Sequence, residues 1–387
     1  MYVKLFMRVR VLFGQRRYFM IKKPFKDIEL SMLGLGNMRF HTSDPKGESI
    51  IDKDAFEVID YAYKNGINYF DTAHVYNNGD SERCVGDCMS KYDRNTFYVA
   101  TKFNINACKD YKKMFDDQLS RLKTDHIDFY LVHCILDGNI DEYLSSGLVD
   151  FLEEKRSEGK IRYLGFSSHA STATLERFAD SHQFDFAQIQ LNYYDWVYGN
   201  SKSEYEALRK RNIPIMVMEP VRGGRLSSLT PDSEAILKKA HPEWSISSWA
   251  LRFVKSLPGI QVVLSGMNNL EQIKDNIETF STDDVLSKED EATLMQALDL
   301  FKKQLTIPCT GCRYCTKTCP VQINIPEYLT VLNDVKANGN FNLWKADKVE
   351  SEGKPADCIG CRSCTAQCPQ SLNIPFYMEE LANKMKK

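Results

Sequence analysis

The sequence predicts an α/β protein, a (β/α)8 TIM barrel followed by a small, mostly α-helical module built around cysteine. Three observations carry this prediction. Short β-branched or aromatic runs alternate with longer amphipathic stretches over about residues 30–280. The length, 387 residues, exceeds that of one average domain. Most of the 12 cysteines lie in two near-identical runs close to the C-terminus. The expected division is an N-terminal extension over 1–19, the barrel over 20–305 and the cysteine module over 306–387.

The strand candidates, in order, are MLGLGN, NYFDTA, TFYVATKF, HIDFYLVH, IRYLGFSSH, DFAQIQLNYY, IPIMVMEPV and IQVVLSGM. Helical patterns separate them. The first, DAFEVIDYAYKNG, has Asp54 as its expected cap and Gly66 as its stop, and the last, NLEQIKDNIETF, follows the eighth strand. A helix after every strand is what a closed parallel sheet requires. A doubly wound open sheet is the alternative, but the first strand-to-helix turn lacks its G-x-G-x-x-G opening. One further helix is expected over 288–304, long enough to rise about 25 Å and carry the chain back toward the top of the barrel.

With 43% hydrophobic residues, 26% charged and a formal net charge of -2, the composition is that of an ordinary globular protein and excludes a nucleic-acid-coating one. No apolar run reaches the roughly 18 residues of a membrane span. Clustered cysteines in a long chain point to ligation in a reducing, cytoplasmic setting rather than to a secreted disulfide scaffold. The opening stretch MYVKLFMRVRVLFGQRRYF carries basic residues and no acidic one, and we expect the functional chain to start near Met20. The rival reading, a weakly membrane-attracted segment, has too short an apolar surface to anchor alone.

In a (β/α)8 barrel the chemistry sits at the C-terminal ends of the strands. Asp71 ends the second strand in FDTAHVY, Tyr76 lies in the following loop, Lys102 ends the third in ATKF, and His133 ends the fourth in YLVH. Each alone reads as a cap, a solvated cation or a packed ring; four ionisable groups at the tops of consecutive units read as a catalytic constellation. They suit proton transfer coupled to hydride transfer. Tyr76 is the candidate proton donor, Lys102, held by Asp71, is the cation expected to favour its anion, and His133 is placed to orient a carbonyl oxygen.

On these residues, on FDTAHVYNNGDSE, and on GFSSH and QIQLNYY, the sequence resembles the aldo-keto reductases over roughly residues 20–300. The resemblance implies an NAD(P)H-dependent oxidoreductase that reduces an aldehyde or ketone. It also implies a nicotinamide amide held by Ser167, Ser168 and Gln190, and a nucleotide near Gly36 and Asn37. Where the family often has a stacking aromatic, VMEPVRGG places Met218, with Glu219 of unassigned role beside it. Where many members grip the 2′-phosphate with Lys-Ser and Arg, this chain has Gly266, Met267 and Gln272. Ser265, Asn268, Gln272 and Asn276 are candidates for the adenosine end, and the choice between NADP(H) and NAD(H) stays open.

Both cysteine runs, CTGCRYCTKTCP and CIGCRSCTAQCP, have the C-x2-C-x2-C-x3-C-P spacing that wraps three thiolates around one 4Fe-4S cluster and sends the fourth to another. Structural zinc prefers two separated ligand pairs. The inferred ligand sets are Cys309, Cys312, Cys315 and Cys368 for one cluster, and Cys358, Cys361, Cys364 and Cys319 for the other. The helical pattern between the runs is similar to the α-helical ferredoxin modules appended to larger redox enzymes. Cys84, Cys88, Cys108 and Cys134 are expected to be ordinary free cysteines.

Hydride chemistry moves two electrons at once and each cluster passes one. The expectation is therefore a carbonyl reductase with a small-molecule substrate, accompanied by electron transfer through two 4Fe-4S clusters to or from a one-electron donor or acceptor protein. The alternative is a redox-responsive nucleotide-binding or regulatory module without turnover. Loops 134–147 and 222–244 are expected as pocket walls, with Arg222 and Arg225 as candidates for an anionic group.

Overall fold

The computed structural model describes residues 19–44, 47–304, 307–338 and 340–386. The predicted basic extension falls, but for its last residue, outside them. The described residues form two compact units, one of those up to 220 with 247–286 and one of 221–246 with those from 287 onward.

The first unit opens with a hairpin, β1 (Lys22–Phe25) and β2 (Ile28–Ser31), and continues into eight parallel strands that close on themselves. These are β3 (Leu33–Gly36), β4 (Tyr69–Asp71), β5 (Tyr98–Phe103), β6 (Ile127–Ile135), β7 (Ile161–Ser168), β8 (Phe186–Gln190), β9 (Ile215–Met218) and β10 (Ile260–Ser265), with β10 pairing β3 to seal the barrel. All eight predicted strands are present. The hairpin was not expected, because its turn is Lys26-Asp27 rather than the Asn-Gly that signals one, although Lys26 adopts φ +50. Phe25, Ile28 and Leu30 pack with Tyr69, Phe129, Tyr163 and Phe186 from the barrel interior, so the hairpin plugs the mouth at the strand starts.

The predicted helices follow their strands, with two local differences. The helix Asp52–Lys64 begins before Asp54, with Ile51 at its cap position and no side-chain cap, while Gly66 at φ +93 ends it as expected. The loop after β6 contains a short helix, Ile140–Ser145, and a further helix, Tyr193–Tyr198, follows β8.

In the second unit the expected helix Lys288–Gln304 packs against Pro231–Ala240, and His241 faces Asp290 at 2.8 Å. Segment 222–244, expected as a wall of the barrel pocket, groups instead with this unit. The cysteine region is an internal near-repeat. Each run contains a four-residue helix, Tyr314–Lys317 or Ser363–Ala366, and is followed by a longer one that starts Ile-Pro, Ile325–Asn338 or Ile374–Met385. Matching residues bend each run through the left-handed region, Gly311 and Arg313 at φ +69 and +64, Gly360 and Arg362 at +70 and +61. No helix among the described residues is long and apolar enough to cross a membrane.

Candidate functional site

Asp71, Tyr76, Lys102 and His133 come together, all buried. Lys102 Nζ donates to Asp71 Oδ1 at 2.5 Å and to Thr72 O at 2.7 Å, and lies 5.1 Å from the centre of the Tyr76 ring. The Tyr76 and His133 rings meet edge to face at 5.8 Å.

Local sequence explains how each is aimed. Tyr76 opens the turn Tyr76–Gly79, in which Asn77, Asn78 and Gly79 take φ values of +47, +56 and +90. Asparagine and glycine are the residues that enter this region at least cost, so Tyr-Asn-Asn-Gly can reverse the chain over the barrel mouth. His133 lies within an irregularity in the β6–β7 pairing between Val132 and Ile135, where the next residue, Cys134, adopts φ +61. Such a bulge re-aims the side chain beside it. Ser167 Oγ accepts from Cys134 N at 2.8 Å and Asn139 Nδ2 donates to Cys134 O at 3.0 Å, holding the bulge.

Lys102 is fixed from behind by buried Glu82. Thr101 Oγ1 donates to Glu82 Oε1 at 2.5 Å, Gln118 Nε2 donates to the same oxygen at 2.8 Å, and Gln118 also reaches Lys102 O at 3.1 Å. Ser81 Oγ contacts Thr72 Oγ1 at 2.8 Å and donates to Asn37 O at 2.7 Å. The Gly-Asp-Ser-Glu segment thus braces the strand ends that carry Asp71 and Lys102.

Burial sets the electrostatics. It pushes Asp71 up and Lys102 down, and their contact pulls each back toward its charged form. His133 is held well below the ordinary histidine value, first by burial and then by Lys102, so its imidazole is neutral at physiological pH. Tyr76 is pushed well above its ordinary value by burial first, with Asp71, Cys134 and Glu219 adding to it and Arg39 opposing. Lys102 lies against the Tyr76 ring and is engaged by Asp71, and Arg39 is a further cation whose charge opposes the upward push on the phenol.

Arg39 was missed by sequence reasoning, and it gives Glu219 a role. Its Nη2 donates to Glu219 Oε1 at 2.9 Å, and its Cδ stands 3.2 Å from where a Cβ on Gly266 would lie. Glu219 itself sits at φ +56, directly after β9.

Of the remaining candidates, Gly36, Ser167, Ser168, Gln190, Met218 and Ser265 lie at strand ends and Gln272 and Asn276 on the helix Leu270–Thr279, and several are already engaged. Ser168 Oγ accepts from Ala170 N at 3.2 Å, and Gln190 Nε2 donates to Asp195 Oδ2 at 2.7 Å. Gln188 Nε2 approaches Met218 Sδ at 3.6 Å. Asn276 Nδ2 donates to Ser265 Oγ at 2.8 Å, and Gln272 Oε1 accepts from Asn268 N at 3.0 Å. Gly36 faces the Ser265 backbone, and wholly buried Asn37 donates Nδ2 to Asp71 O at 2.9 Å. Polar atoms buried without a hydrogen-bond partner concentrate here: Asp71 Oδ2, His133 Nδ1, Asn37 Oδ1, Gln188 Oε1 and Glu219 Oε2. A site that expects a polar ligand leaves such atoms unsatisfied.

In the second unit the cysteines surround two cavities. One is lined by Cys309, Cys312, Cys315 and Cys368, the other by Cys358, Cys361, Cys364 and Cys319. Each cavity takes three cysteines from one run and the last from the other. No three His, Cys, Asp or Glu among the described residues gather closely enough for a single metal ion; the thiols instead stand around spaces with apolar walls. Cys84 and Cys88 are ordinary buried thiols, Cys88 pushed up to about 12 mainly by burial. Arg222 and Arg225 do not wait for an anionic substrate group. Arg222 donates to Pro308 O and to Gln370 Oε1, and Arg225 donates to Cys309 O.

Comparison with known proteins agrees with both halves. The sequence profile of the aldo/keto reductase family matches residues 32–299, and that of a 4Fe-4S dicluster domain matches 308–373. An uncharacterized oxidoreductase of Bacillus subtilis, YqkF, is 28% identical over 286 residues, which is 65% of this chain and 88% of that protein. The NADH-specific methylglyoxal reductase of Escherichia coli is 26% identical over 321 residues, covering 70% and 95%. Among solved structures, the aldo-keto reductase AKR11C1 of Bacillus halodurans in its holo form is similar at a TM-score of 0.59 and 26% identity, over 72% of this chain and 96% of that one. An aldo/keto reductase of Klebsiella pneumoniae in complex with NADP and acetate shares the fold at a TM-score of 0.57 and 23% identity, over 72% and 93%.

Proposed function

Since the chain belongs to the aldo/keto reductase family and is an oxidoreductase, we propose that it reduces a small aldehyde or ketone with NAD(P)H and carries two 4Fe-4S clusters. The observation that carries this reading is the buried quartet of Tyr76, Lys102, Asp71 and His133 at the open end of the barrel.

The bound dinucleotide supplies a hydride, and this chain supplies the rest. His133, neutral under physiological conditions, donates a hydrogen bond to the carbonyl oxygen and fixes its position. Tyr76, protonated throughout the neutral range, delivers a proton to that oxygen as its charge develops, so the carbonyl gains a hydride and a proton and becomes an alcohol. Lys102 favours the phenolate left behind, and Asp71 holds Lys102 in place. Ser167, Ser168 and Gln190 are assigned to the carboxamide, Met218 to the ring face, and Gly36, Asn37, Ser265, Asn268, Gln272 and Asn276 to the ribose and adenosine portions. The unsatisfied buried atoms around the strand ends fit such a ligand. Arg39 offers this end of the barrel a cation where Gly266, Met267 and Gln272 offer none.

The crossed lining of the two cavities supports the ligand sets Cys309, Cys312, Cys315, Cys368 and Cys358, Cys361, Cys364, Cys319. Clusters held there would supply one-electron transfer to or from a donor or acceptor protein.

The deciding measurement is steady-state NADPH and NADH oxidation against a panel of small aldehydes and ketones under anaerobic conditions, for the wild type and Tyr76→Phe. We expect turnover that falls by roughly 10²–10⁴-fold in the variant, with dinucleotide affinity by fluorescence titration changed only a few-fold. Dinucleotide binding with no carbonyl turnover in the wild type would favour a binding-only module.

A further inference from the structure

Residue for residue, the two cysteine runs are near copies, each with one Gly and one Arg in the left-handed region. Their surroundings are not. Beside the cavity of Cys309, Cys312, Cys315 and Cys368 runs a third piece of chain, residues 222–225, which follows β9 and donates to the backbone of Pro308 and Cys309 and to Gln370.

Arg222, only 3% exposed, spans the two ends of that cysteine set. Its Nη1 donates to Pro308 O at 3.1 Å, immediately before Cys309, and its Nη2 to Gln370 Oε1 at 3.0 Å, two residues after Cys368. Arg225 donates Nε to the carbonyl of Cys309 itself. Between them, a Cβ on Gly223 would stand 1.9 Å from Thr310 O, and Gly223 has φ +65, so both space and backbone require glycine there. At the second cavity, by contrast, Cys361 is exposed and its thiol contacts Ser363 Oγ at 3.6 Å.

A cluster gains one negative charge on reduction, and nearby positive charge in a poorly solvated setting favours the reduced form. Arg313 and Arg362 occupy equivalent places in the two runs and so distinguish nothing. Arg222 and Arg225 come from outside both runs and donate to the chain around the first cavity.

Building on the proposal that these cysteines hold clusters, we propose that Arg222 and Arg225 are positioning residues for the Cys309, Cys312, Cys315 and Cys368 cluster and raise its reduction potential above that of its neighbour. An electron entering the unit settles on the first cluster, and the cluster with exposed Cys361 is the exchange end.

The test is iron analysis and EPR-monitored redox titration of the anaerobically reconstituted full chain. The wild type is expected to hold roughly eight irons, four for each cluster, with two resolvable couples. Arg222→Met and Arg225→Met should each lower the upper couple and leave the lower one in place, while Arg225→Lys keeps the charge and should retain most of the upper potential. Couples that neither Met variant moves, or an equal shift of both, would overturn the inference. If a Met variant loses roughly four irons, Arg225→Lys decides, with an unchanged upper couple supporting the inference and a lowered one overturning it. A wild-type chain that takes up no iron defeats the cluster reading itself, an outcome distinct from two couples indifferent to the arginines.

Discussion

Lys102 and Asp71 are an ion pair almost wholly withdrawn from water, so removing one partner strands the other. Lys102→Met should cost about 3–5 kcal/mol and lower the barrel's melting transition by roughly 10 °C. The double variant Lys102→Met with Asp71→Asn should recover most of that loss, and thermal unfolding by circular dichroism compares them. The same burial predicts a flat pH response. With His133 held well below and Tyr76 well above their ordinary values, neither changes protonation between about pH 6 and 8, so kcat should be level across that range. A descending limb near pH 6.5 would assign a charge change to His133. At this scale the quartet was legible because each member sits at or just past a strand end, where periodicity places it. Arg39 was not, because its partners Glu219 and Gly266 come from distant turns that only barrel closure brings near it.

The elements carry their own consequences. The helices Asp80–Met89 and Tyr111–Leu122 meet through Gly86, where a Cβ would stand 2.2 Å from Arg121 O. Backbone cannot yield as a side-chain tip can, so Gly86→Ala should destabilise the barrel by about 1–3 kcal/mol, read as a lower melting transition. It should also reduce turnover, since the first of these helices carries Glu82 behind Lys102. The helix Ser201–Lys210 brings a different effect. Burial first, and then Asp195, raise Glu204 from 4.5 to about 8. The folded state binds this proton more tightly than the unfolded chain, so the stabilisation is complete below about pH 4.5 and is lost as pH rises through about 8. Glu204→Gln should therefore melt close to the wild type at pH 5 and above it at pH 9. The strands and most helices were readable from alternation and helical spacing. The opening hairpin and the bulge at Cys134 were not, since one turns on residues without turn chemistry and the other exists only in the pairing of β6 with β7.

Across the molecule, the second unit differs from the barrel in what fills it. Its core combines Leu332, Met378 and Leu381 with Cys309, Cys315 and Cys364, which border the two cavities. Anaerobic removal of iron should therefore expose this unit to trypsin and abolish its melting transition while the barrel's transition stays in place; limited proteolysis with calorimetry distinguishes the two. The cysteine spacing made this module legible at once. The assignment of 221–246 to it was not, because that segment lies between two barrel strands in the sequence and joins the second unit only by packing. That placement also has a consequence for biosynthesis. Arg222 and its partner Gln370 are 148 residues apart, and a ribosome adding about 5–20 residues each second leaves roughly 7–30 s between them. For that time the guanidinium of Arg222 lacks Gln370, and for the first part of it Gly223 also faces no Thr310. The cavity of Cys309, Cys312, Cys315 and Cys368 is thus completed only after both cysteine runs have been made.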